Sequence, residues 1–272
     1  MGIINTTPDS FSDGALLKKA SMADFQVDVD KALRLAQDMH TQGAVILDVG
    51  GESTRPGAKD VSIAQELDRV IPVIRAICNE LDVCVSIDTS RVEVISEALK
   101  AGASLVNDIR ALGNDAALAE VAMSDAAICL MHMQGTPRSM QQTYEYKEVV
   151  AEVAQFLRRR VAACEQAGIA RSRVIIDPGF GFGKSLQHNY TLLKNLAEFK
   201  KIQLPILVGI SRKSMIGQVT SREVGQRLAG STAANGFALS QGANIIRTHD
   251  VAATMDAIKV HSALLAAPAI DL

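Results

Sequence analysis

The chain has 272 residues, 48% of them hydrophobic, enough to bury one sizeable core. Its 28 basic and 30 acidic side chains nearly cancel, which excludes a global field directed at nucleic acid or a membrane surface; any anion site must be local. Cys78, Cys84, Cys129 and Cys164 lack Cys-x-x-Cys spacing, which argues against a zinc knuckle or a redox pair and for buried, reduced thiols. No apolar run reaches the roughly 18 residues of a membrane span, and Met1-Gly2-Ile3-Ile4 meets polar Asn5 too soon for a signal peptide, so the expected location is cytoplasmic.

In chain order, short apolar runs predict strands at Gly2–Asn5, Ala44–Val49, Val83–Asp88, Ser104–Asn107, Ala126–Met131, Val174–Asp177, Ile206–Gly209 and Ala243–Arg247. Longer amphipathic stretches between or after them predict helices, among them Ala64–Glu80, Val92–Ala101, Lys147–Gln166, Arg222–Gln241 and Val251–Leu265. Gly43, Gly102, Gly168 and Gly242 stand where a helix-ending glycine is expected. Strand and helix alternate without a linker, which predicts an α/β chain with a parallel sheet and crossover helices. Eight such units make a (β/α)8 TIM barrel, for which roughly 250 residues is typical, as a single domain over residues 1–272.

Each predicted strand ends on polar chemistry: Asn5, Asp48, Asp88, Asn107-Asp108, His132, Asp177, Ser211-Arg212-Lys213, and Arg247 with His249. In a barrel these ends converge on one face. A single strand-end aspartate is more often a turn or cap residue, but eight polar endings in succession are hard to assign to capping. Asp48, Asp88, Asn107 and Asp177 offer acceptors for the adjacent N–H donors of a flat heterocycle, while Arg55, Lys213, Arg247 and His249 offer cations for a phosphate. The loops after the first two strands, Thr6–Gly14 and Gly50–Gly57, are polar, rich in Pro and Gly, and read as lids.

The stretch Val174–Ser185 is the most informative. A β-branched run stops at Asp177 and opens into Pro178-Gly179-Phe180-Gly181-Phe182-Gly183-Lys184, which places a carboxylate where a rigid strand meets a flexible loop. Gly183-Lys184-Ser185 is a near miss for a phosphate loop, because Pro178 stands where the leading glycine belongs; the dinucleotide fingerprint fails as well, at Lys184.

Six strings, Asn5–Gly14, Asp48–Gly57, Asn107–Arg110, Asp177–Lys184, Ser211–Ser214 and Arg247–His249, together resemble the bacterial dihydropteroate synthase family across essentially the whole chain. The resemblance implies a barrel enzyme that joins 6-hydroxymethyl-7,8-dihydropterin diphosphate to 4-aminobenzoate with loss of pyrophosphate. It implies that Asp88, Asn107, Asp177 and Lys213 hold the pterin, with Asp88, Asp177 and Lys213 as the catalytic set. Arg55, Arg247 and His249 are implied for the diphosphate, and Asn5 for Mg2+. Phe11, Asp13, Thr54, Pro56, Phe182 and Ser214, beside Lys213, are implied for the aminobenzoate pocket and its loops. A homodimer packed through the late helices and a relation to sulfonamides, as target or resistant variant, follow from the same likeness; partners are small molecules, with no nucleic acid and no membrane.

Relatives of this kind usually carry extra residues before the first strand, and Thr7 and Thr248 are smaller departures from the pattern. A pterin-binding barrel that passes a methyl group to a corrinoid protein would share Asp88, Asn107 and Asp177 but would not need the cationic set. A catalytically silent pterin binder is the other alternative.

Overall fold

The computed structural model describes residues 1–7, 17, 25–53, 60–135 and 144–268. Eight strands lie in it: β1 (Gly2–Asn5), β2 (Ile46–Gly50), β3 (Cys84–Asp88), β4 (Leu105–Asp108), β5 (Ala127–Met131), β6 (Val174–Asp177), β7 (Leu207–Val208) and β8 (Ile245–Ile246). All pairings are parallel, with a ladder running β1-β2-β3-β4-β5-β6 and a second, shorter one joining β7 to β8. The ladder is not continuous around the ring. Single bridges, Gly2 to Thr248 and Ile176 to Ile206, span the two seams.

Helices α1 (Val29–Thr41), α2 (Ile63–Glu80), α3 (Val92–Lys100), α4 (Asp115–Ala122), α5 (Val149–Gln166), α6 (Leu186–Lys194), α7 (Ser214–Thr220), α8 (Leu228–Ser240) and α9 (Val251–Ala266) follow the strands. Helix α2 shows why the sequence folds this way. Ser62 and Gln65 form a capping box at its start, and Val70, Val73, Ile74 and Ile77 supply the i, i+3, i+4, i+7 stripe buried against the sheet. The anticipated glycines Gly43, Gly102, Gly168 and Gly242 all take positive φ. At Gly102 the choice is doubly fixed: φ is +111°, and a Cβ would lie 2.9 Å from Cys78 Sγ.

Strand alternation sorts the two faces. Leu47, Val49, Val85, Ile87, Val106, Ile128 and Leu130 are buried in the main hydrophobic core with the helices. The residues that alternate with several of them, Asp48, Ser86, Asp88 and Asn107, carry the polar side of the strands.

One helix departs from expectation. Arg222–Gln241 is an α-helix only from Leu228: α7 ends at Thr220, its cap residue Ser221 lies in the left-handed region with φ 55°, and a short 3-10 turn at Val224–Gln226 precedes α8. The cause is Arg227, whose guanidinium donates to the carbonyls of Arg222 (2.9 Å) and Arg212 (3.0 Å), folding the intervening chain back toward the β7 loop.

Candidate active site

The floor of the site is a charge cluster drawn from four strands. Arg247, just beyond β8, donates from Nε to Asp48 Oδ2 at 2.6 Å and from Nη2 to Asp88 Oδ2 at 2.7 Å. Asn107 Nδ2 donates to the same Asp48 oxygen at 3.1 Å. Asp48 is fully buried, and its second oxygen, Oδ1, has no hydrogen-bond partner among the described residues. Arg247, grouped by sequence with the phosphate-binding cations, therefore sits among the carboxylates. Burial raises the Asp88 carboxyl to about 7; Arg247 opposes this, and Asp48, Asp108 and Glu66 reinforce it.

Across the barrel, β6 delivers Asp177, whose Oδ1 accepts the Gly179 N–H at 2.7 Å. Burial raises its pKa, and Lys213 is the largest opposing influence. The Lys213 ammonium donates to the Phe180 carbonyl at 2.5 Å and lies 4.6 Å from the centre of the Phe182 ring, a cation–π distance. Burial lowers Lys213 to about 8, with Asp177 pulling the other way. Lys213 precedes α7, and exposed Ser214 is the first residue of that helix.

The third component is an anchored pair. Ser211 Oγ lies 3.1 Å from His249 Nδ1 and accepts the His249 N–H at 3.2 Å. The neighbouring Arg212 takes positive φ (56°) and is held by Asp250, Nε to Oδ2 at 2.9 Å and Nη2 to Oδ1 at 2.5 Å, which fixes the β7 and β8 loops to each other. Asn5, at the end of β1, pairs in register with Gly50, whose carbonyl also accepts the Thr6 hydroxyl at 3.0 Å.

Not every strand-end residue faces this site. Asp108 turns to the loop after β4, accepting from the Ser90 hydroxyl and from the N–H groups of Arg110 and Leu112 (both 2.8 Å), where Ala111 and Leu112 hold positive φ. His132 is buried beside Lys184 and lowered to about 2, by burial first and Lys184 second. It is a neutral acceptor rather than an acid or base at ordinary pH. Phe11, Asp13, Thr54, Arg55 and Pro56 lie outside the described residues. The sequence named Ser211 and Asp48 as strand-end residues; the hold of Ser211 on His249 and the unmatched Asp48 oxygen are what their contacts add.

Geometrically, then, the strand ends form a rim on which three carboxylates (Asp48, Asp88, Asp177) and the Asn107 amide stand with two cations (Arg247, Lys213). Such a rim suits a ligand bearing several N–H donors.

Comparison with known proteins gives the same direction. The family of pterin-binding enzymes matches residues 1–249. The chain is 51% identical to the dihydropteroate synthase of Escherichia coli over 267 residues, 98% of this chain and 92% of that enzyme. It superimposes on a Yersinia pestis dihydropteroate synthase in complex with a sulfonamide drug with TM-score 0.92 and 47% identity, covering 98% of this chain and 94% of that one. A Xanthomonas albilineans dihydropteroate synthase with 4-aminobenzoic acid gives TM-score 0.88 and 45% identity, with 98% and 93% covered. These relatives are synthases, not methyltransferases, and their likeness spans the barrel and all of the strand ends described above. The chain belongs to the pterin-binding enzyme family, as one of its dihydropteroate synthases.

Proposed function

We propose that this chain joins 6-hydroxymethyl-7,8-dihydropterin diphosphate to 4-aminobenzoate, with Asp88, Asn107, Asp177 and Lys213 holding the pterin ring. The observation that carries the assignment is the convergence of Asp177, Lys213 and the Asp48–Arg247–Asp88–Asn107 cluster, whose buried carboxylates would accept hydrogen bonds from the N–H donors of a pterin. The C–O bond to the diphosphate breaks, the departing pyrophosphate takes its electron pair, and the carbon becomes cationic, delocalised into the electron-rich ring. The aniline nitrogen then forms the C–N bond and releases a proton. A carboxylate at Asp177 favours that cation, so the displacement is largely dissociative.

His249, steadied by Ser211, and Arg55 are assigned to the diphosphate. The structure commits Nε and Nη2 of Arg247 to carboxylates, so its contact with a phosphate oxygen falls to Nη1. Phe182, beside Lys213, and Ser214, at the start of α7, are assigned to the aminobenzoate, with Phe11, Asp13, Thr54 and Pro56 from the first two loops completing that pocket. Among the described residues no group of three or more His, Cys, Asp or Glu side chains could hold a metal. The Asn5 amide oxygen is nevertheless a hard donor, and a single protein oxygen fits Mg2+, which takes few protein ligands when substrate phosphates supply the others. Bound there, Mg2+ would spread the charge of the leaving pyrophosphate.

Val219, Leu228, Phe237, Val260, Leu264 and Leu265 are exposed on α7, α8 and α9, and we assign this face to a homodimer; sedimentation giving a monomer mass would refute it. No helix among the described residues is long and apolar enough to cross a membrane, and all four cysteines are free thiols, which supports a cytoplasmic site of action.

The deciding measurement is dihydropteroate formation with and without Mg2+, beside Lys213→Ala and with a sulfonamide added. Mg2+-dependent product, turnover reduced by about a hundredfold or more in the variant, and an unchanged melting temperature are expected. Near-normal turnover in Lys213→Ala would refute its role, and the sulfonamide arm separates a sensitive enzyme from a resistant one.

A further inference from the structure

Lys184 is the residue of the Gly183-Lys184-Ser185 string that most resembles a phosphate ligand, yet its side chain is only 3% exposed. Its ammonium faces four acceptors taken from two loops: Gly179 O at 2.8 Å, Phe182 O at 3.0 Å, His132 Nδ1 at 3.0 Å and His132 O at 3.3 Å. Burial pulls the Lys184 ammonium down to about 7, with Asp177 holding it up; in the charged form its three protons match the three carbonyls or two of them and the imidazole. With Lys184 charged, His132 Nδ1 is the acceptor and the other ring nitrogen carries the proton.

The two loops meet backbone to backbone. A Cβ at Gly179 would lie 1.9 Å from the His132 carbonyl oxygen, and one at Gly183 would lie 2.4 Å from that of Gln134. Tyr146 closes the contact by donating its hydroxyl to the Gly183 carbonyl at 3.0 Å, and Asn189 braces the turn from α6 by accepting the Gly181 N–H at 2.7 Å. Burying an ammonium costs several kcal/mol unless its protons are matched, so a lysine in this place specifies one loop shape where an apolar side chain would allow several.

The other side of the same turn belongs to the site. The carbonyls of Gly179 and Phe182 go to Lys184, while that of Phe180, between them, goes to Lys213. Two lysines thus grip one turn from opposite sides, and the Phe182 ring stacks under the second of them.

We propose that Lys184 is a positioning residue for the aminobenzoate half of the site: it fixes the turn that carries the Phe180 carbonyl and the Phe182 ring, and through them the Lys213 ammonium. The proposal rests on the assignment of Phe182 and Lys213 to the aminobenzoate. It also turns the phosphate-loop resemblance inside out, since the lysine binds its own loop.

The test compares Lys184→Met, Phe182→Ala, their double variant and His132→Phe, measuring KM for 4-aminobenzoate, KM for the pterin diphosphate, kcat and melting temperature. Lys184→Met is expected to raise KM for 4-aminobenzoate about tenfold while the pterin KM moves less than about threefold, and the double variant is expected to add little to the larger single effect. His132→Phe removes one acceptor and leaves three carbonyls for the ammonium, so it keeps the loop folded; a rise of about threefold in the same KM is expected, and no rise would overturn the proposal. Equal weakening of both substrates by Lys184→Met, in step with a lower melting temperature, would reduce Lys184 to a structural residue. If Phe182→Ala raises the aminobenzoate KM and Lys184→Met does not, the positioning role alone falls. If Phe182→Ala itself has no effect, the assignment of the pocket falls, and the positioning role with it.

Discussion

Replacing Asp48 by Asn tests the charge cluster at its centre, because the change keeps shape and removes one charge. Asp48 is fully buried, and one of its oxygens serves two donors, Arg247 at 2.6 Å and Asn107 at 3.1 Å, while the other serves none among the described residues. In Asp48→Asn the amide oxygen must keep both donors, so the new NH2 group occupies the position of the orphaned oxygen and has no acceptor. The Arg247 contact loses its charge assistance, though Asp88 still neutralises that guanidinium at 2.7 Å. A charge-assisted bond contributes about 1.5–3 kcal/mol and a buried unmatched donor costs about 1–3 kcal/mol, so a loss near 3 kcal/mol is expected for the free enzyme. It falls short of the full cost of breaking an isolated buried pair because one carboxylate remains. Urea unfolding at pH 7.5 reads the loss. The same variant should lower the Asp88 pKa from about 7, since the Asp48 charge is one of the influences that raise it. With an ionised Asp88 required to accept from the pterin, wild-type pterin affinity climbs as pH rises through about 7, and in Asp48→Asn that climb moves to lower pH. Stability within about 0.5 kcal/mol of wild type, with an unmoved binding profile, would refute the account of the cluster.

Asp177→Asn should weaken pterin binding by about ten- to a hundredfold, through loss of a charge-assisted contact, and an unchanged dissociation constant in a calorimetric titration would remove Asp177 from the pterin site. His132 makes a prediction about acid. Its folded pKa lies near 2 against 6.5 unfolded, so below 6.5 the unfolded chain binds a proton that the native one refuses, and stability falls as pH falls. Between pH 7 and pH 5 this one residue should cost about 2 kcal/mol, and urea midpoints for His132→Phe should flatten by that amount relative to wild type. Asp108→Ala should cost about 3 kcal/mol by stranding the Arg110 and Leu112 N–H groups, a loss readable by urea unfolding; a neutral result would mean that the positive-φ turn at Ala111 and Leu112 stands without its carboxylate.

How far the molecule could be read from its sequence depends on the range over which each feature is determined. The strands were legible to within two or three residues because an apolar run and its polar ending are adjacent in the chain, as at Val174–Asp177, where β6 matches the expectation at both ends. The long helix expected at Arg222–Gln241 starts six residues late, where Arg227 reaches a carbonyl 15 residues earlier, and no periodicity within the segment records that bond. Arg247 shows the same limit in the site. Its residue type fits a phosphate, but its partners lie 199 and 159 residues away across the barrel, and only closure of the strands could place it between two carboxylates.

Lys184 carries the argument furthest. Local sequence makes it a phosphate-loop lysine in all but one position, and what decides otherwise is the loop after β5, whose His132 and Gln134 backbones fill the space beside Gly179 and Gly183. The glycines therefore do not open the loop toward a ligand; they let two loops touch, and the lysine joins them. Residue type placed polar side chains at the strand ends, because an apolar run and its polar ending are adjacent in the chain. It predicted poorly which of those side chains would face one another, because a buried charge is oriented by the groups that repay its desolvation, and here these lie on other strands and loops.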